Sequence, residues 1–259
     1  MEQRFIHLHI IDGIADLHIH KPEKMNALDS VLLQELSENI AKLEKNKDIK
    51  ALFITGTPDV FSAGGDLLYM AKMNEAEGRN ASALIQGIFN RIESLSCLTV
   101  SLVQGIAFGG GLELCLCCDV CIAGDKAKFA LPEMRYGIIP AGGGTVRFLE
   151  KTTISQLLYT MTYQKIMTPT EAYSCGLIQD IVRNDDMEKF KALYMQKLQA
   201  LNTDTLVKIK SHIKQTGKFF HHPARSKAFE NESKLFGYLL EKEGRDKMNA
   251  FFEQRQKEM

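Results

Sequence analysis

Two runs of alternating apolar and polar residues, Phe5–Ile10 and Ile14–His20, open the chain with Asp12-Gly13 between them. A period of two marks a half-buried strand, and Asp-Gly favours the positive φ angles of a tight turn. A β-hairpin is therefore expected. The period then lengthens. Leu32, Leu36, Ile40 and Leu43 recur every three or four residues behind Asp29, a good N-cap residue, which predicts an amphipathic helix. Ala51–Thr55 reads as a strand and leads to the loop TPDVFSAGGDL. A second helical stripe carries Leu84, Ile85, Ile88, Ile92 and Leu95. Leu98–Val103 is an apolar strand running into glycines, a short helix begins near Gly111, and Val120–Ala123 is a further strand.

Thr168-Pro169-Thr170-Glu171 sets Thr at the N-cap, Pro at N1 and Glu at N3, a capping box for a short helix that Gly176 ends. Strand Ile178–Val182 follows. From Asp186 onward the pattern is helical, with a stripe of Met187, Phe190, Leu193, Tyr194, Leu198 and Leu201. Strands alternating with helices indicate an α/β fold. The end of the chain breaks that alternation, so the expected division is a core over residues 1–195 and a helical C-terminal lobe over residues 196–259. Such a lobe packs on its own core or on a neighbouring subunit.

Charge narrows the choice of partners. Lys plus Arg and Asp plus Glu are equal at 32 each, which gives no electrostatic reason to expect nucleic acid or an anionic membrane. The N-terminus MEQRFIHLHIIDG lacks a basic-then-apolar signal pattern, so a cytoplasmic protein is expected. Residues 94–112 carry no charge and approach the length of a membrane span. They include Gly105, Gly109, Gly110 and Gly111, however, and fit a buried strand and turn better. Cys115, Cys117, Cys118 and Cys121 lie within seven residues, too close to wrap easily around one ion. They read as small core residues. His7, His9, His18 and His20 fall at strand spacing and read as a polar strand face. No metal site is expected.

The candidate chemistry lies where an acid interrupts the uncharged window. Glu113 stands just past Gly109-Gly110-Gly111 and Leu112, in a setting that makes a carboxylate costly unless something uses it. Phe61-Ser62-Ala63-Gly64-Gly65-Asp66-Leu67 is a second glycine loop behind a strand. Such loops allow close backbone approach, and a helix N-terminus adds free N–H donors, so two together could aim amides at one oxygen. Phosphate binding is the rival, but neither a Walker-type loop nor a dinucleotide fingerprint is present, and GGGTVR at 142–147 lacks the required lysine. A second acid, Glu133, follows Pro132 in FALPEMRYG. Two acids in apolar surroundings make an acid/base pair, because burial and proximity keep both from ionising freely. For Glu133 an ion pair with Arg135 or Arg147 is the equal alternative.

HKPEKMNALD (20–29), FSAGGDL (61–67), GGGLELCLCCD (109–119), FALPEMRYGIIPAGGGT (129–145) and TPTEAYSCGLIQDIV (168–182) resemble, in order, the crotonase or enoyl-CoA hydratase/isomerase superfamily. The resemblance implies a crotonase-like spiral of ββα units with a helical C-terminal lobe, assembled as homotrimers or hexamers. It implies an acyl-CoA thioester substrate, coenzyme A entering as part of that substrate, with no other cofactor. Gly65 and Gly110 become the two amides at the thioester oxygen, and Glu113 and Glu133 the two glutamates found in hydratases. Lys24, Met25, Ala27, Ala63, Gly64, Asp66 and Leu67 would border CoA. Gly109, Pro132 and Ala141 would line the reacting end. Lys21 and Lys24 are candidate phosphate contacts. The acyl chain is expected near 68–73, 84–88 and Tyr136.

Two departures bear on the reaction: Ala141 replaces a glycine of the hydratase pattern, and Leu131 a polar residue before Pro-Glu. The expected activity is reversible hydration of trans-2-enoyl-CoA. The alternatives are 3-enoyl to 2-enoyl isomerisation and a non-catalytic acyl-CoA-binding protein. An acyl carrier protein thioester would present the same carbonyl.

Overall fold

The computed structural model describes residues 4–216 and 223–258. β1 (Ile6–Ile11) and β2 (Ile14–Ile19) pair antiparallel, and Asp12 and Gly13 turn the chain with φ of 50° and 78°. In α1 (Ser30–Lys45), Asp29 accepts from the Leu32 N–H at 3.0 Å, and Leu32, Leu36, Ile40 and Leu43 are buried. These match the two sequence periods.

The next segments repeat one move three times. β3 (Ala51–Thr55) enters a large sheet and β4 (Val60–Ser62) a small one. Then come α2 (Leu67–Met70) and α3 (Glu75–Ser94). β5 (Leu98–Val103) and β6 (Ile106–Phe108) take the same two places ahead of α4 (Gly110–Leu116). β7 (Val120–Gly124) and β8 (Lys128–Ala130) do so again. The result is the expected spiral. Its large sheet has the order β1-β2-β3-β5-β7-β9 and its small sheet β4-β6-β8, all parallel apart from the hairpin.

After β8 come a 3-10 turn (Glu133–Tyr136), α5 (Gly144–Lys151), α6 (Ile154–Thr162) and α7 (Pro169–Ser174). The Thr168–Glu171 capping box is formed at α7. β9 spans only Asp180–Val182, shorter than the expected 178–182, because Ile178 sits in the core and Gln179 bonds Cys121 through its own N–H and side chain.

α8 (Met187–Gln199) crosses the expected boundary at residue 195, since Met187 and Leu198 cover one face of the large sheet together. Leu193 and Leu201 of the expected stripe are exposed, as is Leu84 on α3. α9 (Thr203–Thr216) follows, and α10 (Pro223–Leu239) runs through a π turn (Leu240–Gly244) into α11 (Arg245–Glu258). α10 packs along α3, which brings the C-terminal region against the core.

The uncharged window is β5, β6 and the start of α4, and no helix of the described residues is long and apolar enough to cross a membrane. Cys115, Cys117, Cys118 and Cys121 are buried free thiols; the first three donate to carbonyls of Gly111 or Leu114. Among the described residues no group of three or more His, Cys, Asp or Glu is placed to hold a metal ion.

Candidate active site

The small sheet decides where the site forms. Because β4, β6 and β8 run parallel and in adjacent register, their C-terminal ends lie side by side. The residues just beyond those ends are Ala63–Asp66, Gly109–Gly110 and Pro132–Glu133. Segments far apart in the chain therefore meet at one place.

Gly64 has φ of 94°, and a Cβ there would lie 2.6 Å from Phe108 O and 3.1 Å from Gly110 N. The two glycine loops touch backbone to backbone, a contact only glycine permits. Leu28 N donates to Gly64 O at 2.8 Å, so the Gly65 N–H of the same planar peptide points the opposite way, and Gly65 N lies 3.7 Å from where a Cβ on Gly110 would sit. Gly110 opens α4, so its N–H has no intrahelical partner.

Residues 21–28 brace this loop. Met25 O accepts from Ala63 N at 3.0 Å, and the half-exposed Met25 side chain lies at the rim. Ala27 is buried. Asp66 caps α2 by accepting from Tyr69 N at 3.1 Å, and Leu67 packs into the helical cluster behind it. Asn26, which the sequence reading passes over, joins the two segments. Its side-chain amide donates to Val60 O at 2.9 Å and Phe61 O at 3.1 Å, and its Oδ1 accepts from Lys21 N at 2.7 Å.

Lys21 departs from its expected phosphate role. It is buried, bonded to Asp29 at 2.6 Å and placed over the Phe5 ring, because the hairpin and α1 close around it. Lys24 remains at the surface, 3.4 Å from Asp29 and 3.2 Å from Asp66.

Both acids face inward, Glu113 at 2% exposure and Glu133 at 7%. Glu113 Oε1 accepts from Gly142 N and Gly144 N, each at 2.7 Å. Burial, with the Glu232 charge adding to it, raises the Glu113 carboxyl from the ordinary 4.5 to about 8, against the opposing pull of the two amides. Glu133 follows Pro132 into the 3-10 turn and abuts Gly109, whose Cβ would lie 2.9 Å from Glu133 Oε1. Burial first, and then the Glu113 charge, push its carboxyl well above the ordinary range. Glu133 Oε2 is buried without a hydrogen-bond partner among the described residues. The alternative ion pairs do not form: Arg135 lies over the Phe251 ring and Arg147 pairs with Glu93 at 3.3 Å.

A third acid joins them. Glu232, on α10 and 4% exposed, accepts from Gly143 N at 2.6 Å, Thr145 N at 3.0 Å, the Thr145 hydroxyl and Gln86 Nε2 at 3.2 Å. Its signal was available in the sequence. Phe229 and Phe236 place an apolar face on this helix, which Leu240 of the π turn continues, and Glu232 falls on it at helical spacing. Ala141 precedes the same glycines and its carbonyl accepts from Ser82 Oγ at 2.6 Å. Buried Arg147 donates to Gly142 O at 2.6 Å and stacks on Phe229.

The arrangement can hold a polarised oxygen near two backbone amides and move protons through two buried carboxyls. Residues 9–259 match the family described as Enoyl-CoA hydratase/isomerase. The chain is 35% identical over 180 residues to a crotonyl-CoA hydratase of Syntrophomonas wolfei subsp. wolfei, covering 68% of each chain. It is 32% identical over 247 residues to a short-chain-enoyl-CoA hydratase of Clostridium acetobutylicum, covering 93% of this chain and 92% of that one. The crystal structure of an enoyl-CoA hydratase from Bacillus halodurans superposes with a TM-score of 0.87 at 24% identity, over 95% of this chain and 100% of that one.

Proposed function

The chain belongs to the enoyl-CoA hydratase/isomerase family, and from that premise we propose that it catalyses reversible hydration of a trans-2-enoyl-CoA to the 3-hydroxyacyl-CoA. One observation carries the choice of hydration. Two carboxyls, Glu113 and Glu133, are buried on separate elements at the meeting point of the glycine loops, and both resist ionisation.

In the reaction, Gly65 N–H and Gly110 N–H polarise the thioester carbonyl and make the β-carbon electrophilic. Water adds its oxygen to that carbon while Glu113, as carboxylate, takes the proton. Charge collects on the thioester oxygen, where the amides are most useful. Glu133, as carboxylic acid, then delivers its proton to the α-carbon. Glu113 now carries the proton taken from water and Glu133 is left as carboxylate, and proton exchange with solvent restores both. No cofactor is required beyond the CoA of the substrate. Met25, Ala27 and the Ala63–Leu67 loop would border that CoA, with Lys24 near its phosphates.

Exposed Ile154, Leu158, Tyr159 and Tyr163 on and beside α6 support a homotrimer or hexamer. The test is loss of the conjugated thioester absorbance when the protein meets enoyl-CoAs of different chain length. No loss with any of them rejects hydration.

A second reading draws on the unpartnered Glu133 Oε2. An oxygen free to accept and return one proton suits a 3-enoyl to 2-enoyl isomerase, while Glu113 stays fixed by its amides. A 3-enoyl-CoA supplied in heavy-oxygen water distinguishes the two, because isomerisation alone incorporates no label.

A further inference from the structure

Glu232 has no part in the proton transfers above, yet it is nearly sealed from solvent and has four hydrogen-bond donors around one carboxylate. A buried acid on a helix that only needs to pack is costly, and an apolar residue would serve packing better.

The donors identify what it holds. Gly142, Gly143, Gly144 and Thr145 are consecutive, and their amides alternate in direction: the first and third go to Glu113, the second and fourth to Glu232. Releasing one side of this segment frees the other. We propose that Glu232 is a positioning residue for the hydration chemistry, gripping the segment 142–145 from the C-terminal helix so that its remaining amides fix the Glu113 carboxylate. The inference rests on the reading of Glu113 as the base.

The surroundings give this grip an electrical consequence. The groups that feel the Glu232 charge are Glu113 from α4 and Glu133 from the 3-10 turn, while Arg147 from α5 and Arg225, about two turns back on α10, both pair with Glu93 from α3. Arg147 is engaged by Gly142 O, Asn90 and Glu93, and Arg225 by Glu93 and Glu150. Neither makes an ion pair with Glu232 among the described residues. With four donors against two, Glu232 is the first of the pair to ionise, and its charge then opposes ionisation of Glu113. A residue serving only to pack α10 would leave the titration of Glu113 unmoved.

The experiment uses the full chain with trans-2-butenoyl-CoA and compares Glu232→Gln, Glu232→Asp and Glu113→Gln. Glu232→Gln removes the charge, so the acid limb of kcat/KM should move to lower pH. Its kcat should fall on the order of 10-fold to 100-fold, the scale of a misplaced catalytic group, with KM nearly unchanged. Glu232→Asp keeps the charge with a shorter reach. It should lower kcat while holding the limb close to that of the unaltered protein, and it carries the test if the glutamine variant does not fold.

The positioning role is overturned if both variants keep the original kcat and profile. It is equally overturned if activity falls only in proportion to the folded fraction seen by thermal melting. Full hydration by Glu113→Gln removes instead the reading of Glu113 as base. An inactive Glu113→Gln beside unaffected Glu232 variants removes only the inference made here.

Discussion

Glu113 and Glu232 take alternate amides of the same four residues, Gly142 and Gly144 bonding the first at 2.7 Å each, Gly143 and Thr145 the second at 2.6 and 3.0 Å. The segment opens α5, so these are the free donors of a helix N-terminus, the arrangement that elsewhere captures phosphate. Here the protein's own carboxylates occupy it. The glycines follow from that packing: a Cβ on Gly142 would lie 3.0 Å from Glu113 Oε2, and one on Gly144 2.8 Å from Glu113 Oε1. GGGT without a Walker lysine is thus an anion cradle whose anions are internal.

Replacing Glu113 by Gln keeps its volume and removes the carboxylate proposed as base. Hydration should fall by about 10²- to 10⁴-fold, the usual contribution of a positioned acid or base, while acyl-CoA affinity stays within a small factor. Glu133→Gln should act similarly on hydration and should also stop exchange of the α-proton with deuterated solvent. Steady-state kinetics with proton NMR of the product checks both. Undiminished turnover in Glu113→Gln excludes it as the base.

The raised Glu113 carboxyl fixes the direction of two pH effects. Activity needs the carboxylate, so kcat/KM for hydration should climb as pH rises toward about 8 and fall again once Glu133 loses its proton. Stability runs the other way. Between the ordinary 4.5 and about 8 the folded protein keeps a proton that the unfolded chain has released, so stability declines as pH rises through that window and levels off above it. Urea midpoints across the window should show the decline, and Glu113→Gln should flatten it. A variant that keeps the full slope places its origin in another group.

Long periodic elements were legible before any coordinates. The hairpin, α1, β5 and the capped α7 each carry a local signal, and the structure keeps them within a residue or two. β4, β6 and β8 were not legible, since three residues are too few to display a period and their pairing partners are distant in the chain. Those strands align the glycine loops, so the motifs were visible while the reason they meet was not. The same limit hid Asn26, whose partners lie far from it in sequence, whereas Glu232 did carry a local signal in its place on the apolar face of α10. Lys21 shows the opposite error. A lysine beside a turn looks like a surface charge until α1 and the hairpin close over it.

Gly64 tests the meeting of the two loops. Alanine there meets an unfavourable positive φ, costing about 1–2 kcal/mol, and its Cβ would press on Phe108 O at 2.6 Å. The loops should move apart, with kcat falling on the order of 10²- to 10³-fold, as for loss of one oxyanion donor. Because the substrate keeps most of its contacts, KM should change much less. Kinetics combined with thermal melting separates the lost turnover from the modest loss of stability. An alanine variant with unchanged kcat would mean that the approach of Gly65 to Gly110 is not used in the reaction.

The two lysines of the segment 20–29 should separate cleanly. Lys21→Met keeps the aliphatic stem but leaves Asp29, the cap of α1, without its 2.6 Å partner, so the protein should lose on the order of 3 kcal/mol of stability. Its KM for enoyl-CoA should hold, since the buried ammonium cannot reach a phosphate without breaking the hairpin contact. Lys24 is exposed and its pairs are of the kind that add little to folding, so Lys24→Ala should melt where the unaltered protein does. If Lys24 meets the CoA phosphates, its removal should raise KM for enoyl-CoA and leave KM for the matching pantetheine thioester, which lacks the nucleotide, unchanged. Equal effects on both thioesters would assign Lys24 to holding the Asp66 loop, because a contact with the nucleotide cannot act on a substrate that has none.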